Sequence, residues 1–197
     1  MRKAVFSIAG FLLLGAAALE SAEPLPAEQV GSKIAAAQLE DSAGRTRSTS
    51  EYAGKILVLV FWSFKCPVSL GYDARVAALE QVYRDRGVVV LGVDSNSNET
   101  PAEVQRNVEN LKLRFPVLYD RDGALAVRLG ATHTPSVYIL DGSSVLRYRG
   151  ALDNNKQPGE AGRVAYAEEA VSDLVAGRAP ARPETREFGC TLKRRAR

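Results

Sequence analysis

The sequence contains two cysteines, Cys66 and Cys190, and one histidine, His133, so any redox or soft-metal chemistry rests on very few side chains. Cys66 comes shortly after a continuous apolar run at residues 55–60, which predicts a buried strand. Pro67 follows it, and proline suits the first position of a helix because its missing N–H would have no partner there. The sequence therefore predicts a thiol at the point where a core strand ends and a helix begins.

This position favours the reactive form of a cysteine. Unpaired backbone N–H groups and the positive end of the helix dipole stabilise a thiolate, and Lys65 adds a cation one residue before Cys66. The competing interpretation is that Cys66 is a small buried hydrophobic residue, as most free cysteines are. The order of strand, cysteine, proline and helix favours chemistry.

The elements around Cys66 predict a βαβ unit. An amphipathic helix behind it has apolar residues at Val68, Tyr72, Val76, Leu79 and Tyr83. Gly87 ends this helix, and the apolar residues 88–93 predict a second buried strand, so the two strands should be parallel. The polar residues 94–98 leave the carboxyl end of that strand and are interpreted as a solvated connection, although ligand sites of α/β proteins gather at this end.

Further helices and strands follow in alternation. They are a helix that begins with a capping box at Thr100, Pro101 and Glu103, a strand at 115–120, a helix at 123–129 capped by Asp122, a hairpin of strands 136–140 and 145–149, and a final helix at 164–175. The polar residues 150–162 are interpreted as a long surface loop. The pattern as a whole predicts an α/β domain.

Residues 61–69 resemble the thioredoxin-like superfamily, whose signature is Phe-Trp-Ala-x-Trp-Cys-x-x-Cys at a strand-to-helix junction. Phe61 and Trp62 match, Cys66 falls on the first cysteine, and Ser69 stands where the second would be. Residues 33–176 are similar to its redoxin branch, the peroxiredoxin-like proteins of the alkyl hydroperoxide reductase/thiol-specific antioxidant (AhpC/TSA) type. The threonine-containing loop of peroxiredoxins is not evident, so the resemblance does not make Cys66 a peroxidatic cysteine.

A second motif precedes the predicted strand at 136–140. Thr134-Pro135 resembles the cis-proline loop of thioredoxins, which packs against the active-site cysteine. The resemblance implies that the Thr134 backbone pairs with an extended thiol substrate in the manner of a strand. His133 would then be a base or cation near Cys66, or a metal ligand, and the competing interpretation is a partly exposed loop residue.

The resemblance implies a thioredoxin-like fold with a central mixed sheet flanked by helices, an N-terminal hairpin and an inserted helix and strand. The redoxin domain would cover residues 33–177, after an extended arm at 23–32. Residues 1–22 have a basic start, a short apolar run and small residues, which is typical of a secretory signal peptide, with an uncleaved anchor as the competing interpretation. We therefore expect a periplasmic or secreted protein with no stable membrane span after cleavage.

Residues 178–197 form a basic C-terminal tail with seven Lys or Arg residues and two acids, which is typical of a solvated segment. The charges are not interleaved with aromatic residues, so we expect no nucleic-acid partner. Residues 188–193 resemble a Gly-Cys-x-Ile-Lys ending found in the redoxin branch. By this resemblance Phe188 is an anchor and Cys190 resolves Cys66, while a structural disulfide between the same cysteines is the competing interpretation.

These features predict an exported oxidoreductase that acts by thiol–disulfide exchange. Cys66 would attack a protein or small-molecule disulfide, or a peroxide, Cys190 would resolve the product, and a reducing thiol partner would restore the dithiol. Ser69 is expected to donate a hydrogen bond to the thiolate, and Trp62 and Pro135 to shape the surface. The expected supporting residues are Trp62, Lys65, Pro67, Ser69, His133, Thr134 and Pro135.

Three alternatives stay open. The first is a thiol peroxidase of the peroxiredoxin-like type, with antioxidant activity. The second is copper binding, by resemblance to Sco-type proteins, with Cys66 and His133 as ligands, although the Cys-x-x-x-Cys pair is missing. The third is a non-enzymatic protein that keeps the fold. The sequence has no P-loop, dinucleotide fingerprint or zinc-type spacing, so we expect no cofactor and no metal.

Overall fold

The computed structural model describes residues 27–155 and 161–194. The predicted signal peptide, residues 1–22, and the first part of the predicted arm lie outside these residues. The rest of the arm lies against the domain, since Glu28 N donates to Arg128 O at 2.8 Å and Gly31 N donates to Leu146 O at 2.8 Å. No helix in the described ranges is long and apolar enough to cross a membrane.

The described chain contains short strands and helices in alternation. In order they are β1 (Gln38–Glu40), β2 (Thr46–Ser48), β3 (Ile56–Phe61), α1 (Pro67–Leu70), α2 (Asp73–Tyr83), β4 (Val88–Asp94), α3 (Pro101–Asn110), β5 (Val117–Tyr119), α4 (Ala124–Leu129), β6 (His133–Thr134), β7 (Ser136–Leu140), β8 (Leu146–Gly150), α5 (Tyr166–Val175) and β9 (Cys190–Thr191). Short 3₁₀ turns cover Thr49–Tyr52 and Arg84–Arg86.

The main sheet is mixed and places β3 near its centre. Its strand order is β2-β1-β5-β4-β3-β7-β8. β4 pairs with β3 and β5 in parallel, whereas β7 pairs with β3 and β8 antiparallel. The antiparallel β1–β2 hairpin adds to the edge at β5. This topology confirms the predicted βαβ unit, the N-terminal hairpin and the inserted α3–β5 pair.

Both faces of the sheet are covered, which explains the continuous apolar sequence of β3. Successive side chains of a strand point to opposite faces, so Val58 and Val60 pack on one side and Leu57 and Leu59 on the other. α2, α3 and α5 contribute buried residues to the first side, and α4 contributes to the second. Packing on both faces therefore fixes the position of the carboxyl end of β3, from which the chain continues to Cys66.

Two local predictions are wrong. The helix behind Cys66 is not continuous, because Gly71 ends α1 and Tyr72 precedes α2. Tyr72 is fully buried at this break, and its hydroxyl donates to Asp153 at 2.7 Å. The residue before α4 is Gly123, in the left-handed region with φ of 64°.

The carboxylate that serves the start of α4 belongs to Asp120 rather than to the predicted Asp122. Asp120 accepts hydrogen bonds from the backbone N–H groups of Leu125 at 3.1 Å and Ala126 at 2.9 Å. The predicted capping box of α3 is confirmed, with Thr100 and Glu103 each accepting from the other's backbone N–H.

Candidate active site

Cys66 lies at the N-terminus of α1, as the sequence predicts. It is the residue before the helix, Pro67 is the first helical residue, and the side chain of Cys66 is 1% exposed. The backbone N–H of Ser69 donates to the sulfur at 3.5 Å. The hydroxyl of Ser69 is completely buried and has no hydrogen-bond partner among the described residues. The Ser69 backbone therefore makes the contact with sulfur that was expected of this residue.

Cys66 forms a disulfide with Cys190, 124 residues later in the chain. The two Cα atoms are 5.8 Å apart, within the ordinary range for a disulfide. Cys190 is half-buried, in contrast to Cys66. The pairing is the one that the redoxin resemblance implies, and the chain has no other cysteine.

The cis-proline loop lies directly beside this disulfide. The Thr134–Pro135 peptide bond is cis, which confirms the prediction, and the carbonyl oxygen of Thr134 lies 3.1 Å from the Cys66 sulfur. β6 pairs antiparallel with β9, so that Thr134 faces Cys190 and His133 faces Thr191. The tail strand thus runs along the backbone of the cis-proline loop.

Residues 185–193 of the tail pack against the domain, although the charge of the tail predicted a solvated segment. The backbone N–H of Thr185 donates to Arg149 O at 3.0 Å, beside β8. The ring of Phe188 lies 6.4 Å from that of Tyr72, centroid to centroid, in agreement with its predicted role as an anchor. Leu192 is 5% exposed and joins the apolar cluster on the α4 side of the sheet.

Gly189 makes the closest approach between tail and loop. Its φ is +136°, and a Cβ built there would overlap the Thr134 carbonyl oxygen and lie 2.9 Å from the Thr134 carbonyl carbon. Pro135 Cδ would lie 3.3 Å away. A side chain at position 189 is therefore excluded by both conformation and space.

The polar loop after β4 binds the tail at Lys193, beyond the strand β9. The prediction that this loop is a solvated connection is wrong. Asn96 is buried, its Nδ2 donates to Trp62 O at 2.9 Å, and its Oδ1 accepts from Lys193 N at 3.1 Å. Ser97 N donates to Lys193 O at 2.6 Å. Sequence reasoning missed these residues, although their position at the carboxyl end of a parallel strand was the available signal.

Two buried carboxylates support the loop between β3 and Cys66. Glu99 accepts a hydrogen bond from Phe64 N at 2.8 Å and a second from the Ser63 hydroxyl. Asp94 accepts from Asn96 N at 2.8 Å through one oxygen, while its other oxygen has no partner among the described residues. Burial, and then the charge of Glu99, raise the pKa of Asp94 to about 7. Neither carboxylate was identified from the sequence.

Lys65 and Trp62 make other contacts than those predicted. The Lys65 ammonium lies 3.5 Å from the Glu103 carboxylate and donates to Asn98 O, so its contacts are with α3 and the preceding loop rather than with the Cys66 sulfur. Trp62 is fully buried and packs edge-on against Phe115 at 5.8 Å between ring centroids. Trp62 therefore shapes the core below the site and not the surface.

His133 lies in the two-residue strand β6 and is partly exposed. Its Nδ1 lies 2.9 Å from Thr132 Oγ1 and 3.6 Å from the Glu187 carboxylate. Glu187 also accepts hydrogen bonds from Thr132 and, at 2.6 Å, from the Tyr138 hydroxyl. These contacts attach the tail to β6 and β7. Among the residues described, no group of three or more His, Cys, Asp and Glu side chains could hold a metal ion.

A buried ionic cluster fixes α2 to the segment after β8, which the sequence predicted to be a surface loop. Asp153 is fully buried and accepts hydrogen bonds from Tyr72 OH at 2.7 Å, Arg75 Nη1 at 2.6 Å and Arg163 Nε at 2.8 Å. Since Tyr72 also contacts Phe188, the cluster joins the Cys66 helices to the tail. The polar sequence of this segment gave no signal for the burial of Asp153.

The AhpC/TSA family matches residues 30–149, more than half of the 197 residues. The chain belongs to the AhpC/TSA family. It is 30% identical over 159 residues to the thiol:disulfide interchange protein DsbE of Tatumella citrea, which covers 75% of this chain and 83% of DsbE. It is 29% identical over 112 residues to the thiol-disulfide oxidoreductase ResA of Geobacillus thermodenitrificans, covering 57% of this chain and 63% of ResA. It spans 14% of the length of protein DipZ of Mycobacterium bovis.

Solved structures share the fold. A hypothetical protein from Sinorhizobium meliloti 1021 superposes with a TM-score of 0.77 and 25% identity, covering 87% of this chain and 97% of that protein. The exposed lipoprotein thioredoxin of Streptococcus pneumoniae TIGR4 superposes with a TM-score of 0.56 and 23% identity, covering 73% of this chain and 99% of the thioredoxin. The predicted thioredoxin-like fold is confirmed.

Proposed function

We propose that this AhpC/TSA-family chain is a thiol–disulfide oxidoreductase in which Cys66 attacks and Cys190 resolves. The observation that carries the proposal is the disulfide between Cys66, at the N-terminus of α1, and Cys190, in a tail strand beside the cis-proline loop. The names of the relatives DsbE and ResA support the same reaction class.

The reaction begins from the dithiol form. The Cys66 thiolate attacks one sulfur of a partner disulfide, forms a mixed disulfide and releases the other partner sulfur as a thiolate. The Cys190 thiolate then attacks the Cys66 sulfur, which forms the Cys66–Cys190 disulfide and releases the second partner thiolate. The partner disulfide has gained two electrons, the chain has lost two, and a dithiol donor returns it to the start.

The environment of the two sulfurs supports these proposed roles. The Ser69 N–H points at the Cys66 sulfur from the first turn of α1, and such a donor stabilises a thiolate and lowers the pKa of a thiol. Ser69 has a hydroxyl where a second nearby thiol would be needed, so it cannot form a disulfide with Cys66. Cys190 is the remaining cysteine and already lies within bonding distance.

The test is a redox titration with three proteins. The oxidised protein is equilibrated with reduced and oxidised glutathione, and the disulfide is measured by mass spectrometry. We expect reversible reduction within the glutathione range, loss of all exchange in Cys66→Ser, and accumulation of a mixed disulfide in Cys190→Ser. A bond that glutathione does not reduce would identify a structural disulfide and overturn the proposal.

We also propose that the chain is exported. The proposal is supported by the composition of residues 1–22 and by the disulfide, since disulfides persist in oxidising compartments. Expression of the full chain followed by fractionation and mass spectrometry should yield a protein that lacks the first residues in the periplasmic or culture fraction. An intact N-terminus in the cytoplasmic fraction would contradict the proposal.

A further inference from the structure

Residues 189–193 bind to the rest of the molecule as an extended peptide would. Cys190 pairs with Thr134 in an antiparallel bridge, and the backbone N–H of Leu192 donates to Thr132 O at 2.9 Å. At the far end, both backbone groups of Lys193 are bonded, the N–H to Asn96 Oδ1 and the carbonyl to Ser97 N. The tail therefore crosses a groove whose two walls are the loop at 132–135 and the loop at 96–97.

The side chains of this segment alternate as in a strand. Cys190 points inward to Cys66, Thr191 is exposed, and Leu192 is 5% exposed within the apolar cluster on the α4 side of the sheet. Backbone hydrogen bonds supply affinity that is independent of sequence, and the inward side chains supply selectivity. The tail thus places a cysteine and, two positions later, an apolar residue against the inner side of the groove.

We propose that the tail is an internal occupant of the partner-binding groove in the disulfide form, and that its sequence shows what the groove selects in a partner. The partner is an extended polypeptide segment that carries its reactive cysteine with a large apolar residue two positions after it. This inference rests on the proposed function and specifies the partner of the same site. The residue before the cysteine must be small, because a Cβ at position 189 would overlap the Thr134 carbonyl and lie 3.3 Å from Pro135 Cδ.

Tail and partner cannot occupy the groove together, since both would use the backbone of Thr134. In the mixed disulfide the partner cysteine is bonded to Cys66 and its strand pairs with the loop. Attack by Cys190 forms the Cys66–Cys190 bond, breaks the Cys66–partner bond and leaves the partner as a thiolate, while the tail replaces the partner strand. Chemical resolution and release of the partner are then one event.

The test uses the full chain with Cys190→Ser, reduced, and two synthetic peptides. One has the sequence Phe-Gly-Cys-Thr-Leu-Lys, and the matched control replaces its leucine by aspartate. Each peptide carries its cysteine as a mixed disulfide with thionitrobenzoate, which absorbs light when Cys66 displaces it. Because burial of a leucine side chain favours association by on the order of tenfold or more, we expect the leucine peptide to react at least about tenfold faster at low concentration.

The outcomes separate the two proposals. Failure of Cys66 to react with either peptide and with the symmetric aromatic disulfide of thionitrobenzoate would contradict the proposed oxidoreductase. Reaction with this reagent but equal rates for the two peptides would overturn the groove selectivity alone.

A second pair of variants tests the tail as occupant. Leu192→Asp, added to Cys190→Ser, should free the groove and raise the rate with the leucine peptide several-fold. Thr191→Asp adds the same charge at an exposed position and should leave that rate near its starting value. Equal rates in both double variants would contradict occupation of the groove by the tail.

Discussion

Asp94 is a buried acid close to the strand end that carries the active-site loop, and its protonation links stability to pH. Its pKa is raised from 3.8 to about 7, first by burial and then by the charge of Glu99, against the opposing effects of Asn96 and Lys65. The folded state therefore holds this proton more tightly than the unfolded state. The resulting stabilisation is complete below about pH 4 and is lost as the pH rises through 7.

We predict that Asp94→Asn removes the loss of stability that the wild type shows as the pH rises. Because a difference of three pKa units corresponds to on the order of 4 kcal/mol, the variant should be more stable than the wild type at pH 8 by about 2–4 kcal/mol and similar to it at pH 4. Urea unfolding at pH 4 to 8 measures the difference. Parallel stability curves for the two proteins would show that Asp94 is not the titrating group.

Gly189 controls the contact between the tail and the cis-proline loop. In Gly189→Ala the new methyl group would overlap the Thr134 carbonyl, so the strand must move and the disulfide should become easier to reduce. We expect the glutathione equilibrium to shift toward the dithiol by on the order of tenfold. Gly177→Ala is the matched control, since Gly177 also has a positive φ, +73°, but open space around it. The prediction fails if both variants shift the equilibrium equally.

At the residue scale, the sequence predicted those site residues whose chemistry or backbone geometry is distinctive. Cys66 and Pro67 were placed correctly because strand, cysteine, proline and helix follow one another in the sequence, whereas the cis bond before Pro135 was expected from the thioredoxin resemblance. Asn96 and Glu99 were missed because their burial depends on β3, β4 and the tail meeting at one edge. A polar residue in a loop gives the same sequence signal whether it is solvated or enclosed.

At the scale of elements, the break between α1 and α2 lies where Tyr72 donates a hydrogen bond to the buried Asp153. The periodicity of apolar residues continues through the break, so it predicted one helix, and nothing in it revealed that Tyr72 would reach a carboxylate 81 positions away. Strands β3, β4, β5, β7 and β8 and the capping box of α3 were predicted because their signals are local, whereas β6 and β9 were not predicted. Contacts between segments far apart in the sequence were not predicted, because no local pattern encodes them.

Removal of the Asp153 charge should destabilise the fold strongly. In Asp153→Asn the ion pairs of Arg75 and Arg163 with the Asp153 carboxylate are lost, and breaking a buried ion pair costs about 3–5 kcal/mol. Glu169→Gln, which removes an exposed ion pair with Arg182, should cost less than about 1 kcal/mol. Chemical denaturation of the two variants at neutral pH measures both free energies of unfolding. Equal losses of stability in the two variants would mean that the buried cluster stabilises the fold no more than an exposed ion pair does.

At the scale of the whole molecule, one covalent bond joins the strand-to-helix junction to the end of the described chain. The Cys66–Cys190 bond closes a loop of 124 residues that contains most of the sheet. Loop-closure entropy predicts that such a bond stabilises a folded domain by about 4–5 kcal/mol. Reduction should therefore lower the melting temperature of the wild type, whereas Cys190→Ser should melt at the reduced value with or without reductant.

Reduction should also change the molecule unevenly, because the tail and the sheet are held by different forces. β3 is buried on both faces of the sheet, and it keeps its hydrogen bonds to β4 and β7 without the disulfide. Near Cys190, the tail is then held only by the short β6–β9 pairing, the buried side chain of Leu192 and a few polar contacts. In the reduced protein, the amides of Leu192, Lys193 and Ser97 should exchange through local opening, at least about tenfold faster than the amides of Ile56–Phe61, which should still exchange only by global unfolding. Unchanged protection of these three amides would mean that the groove stays closed in the dithiol form, and a partner strand could then reach Cys66 only by another route.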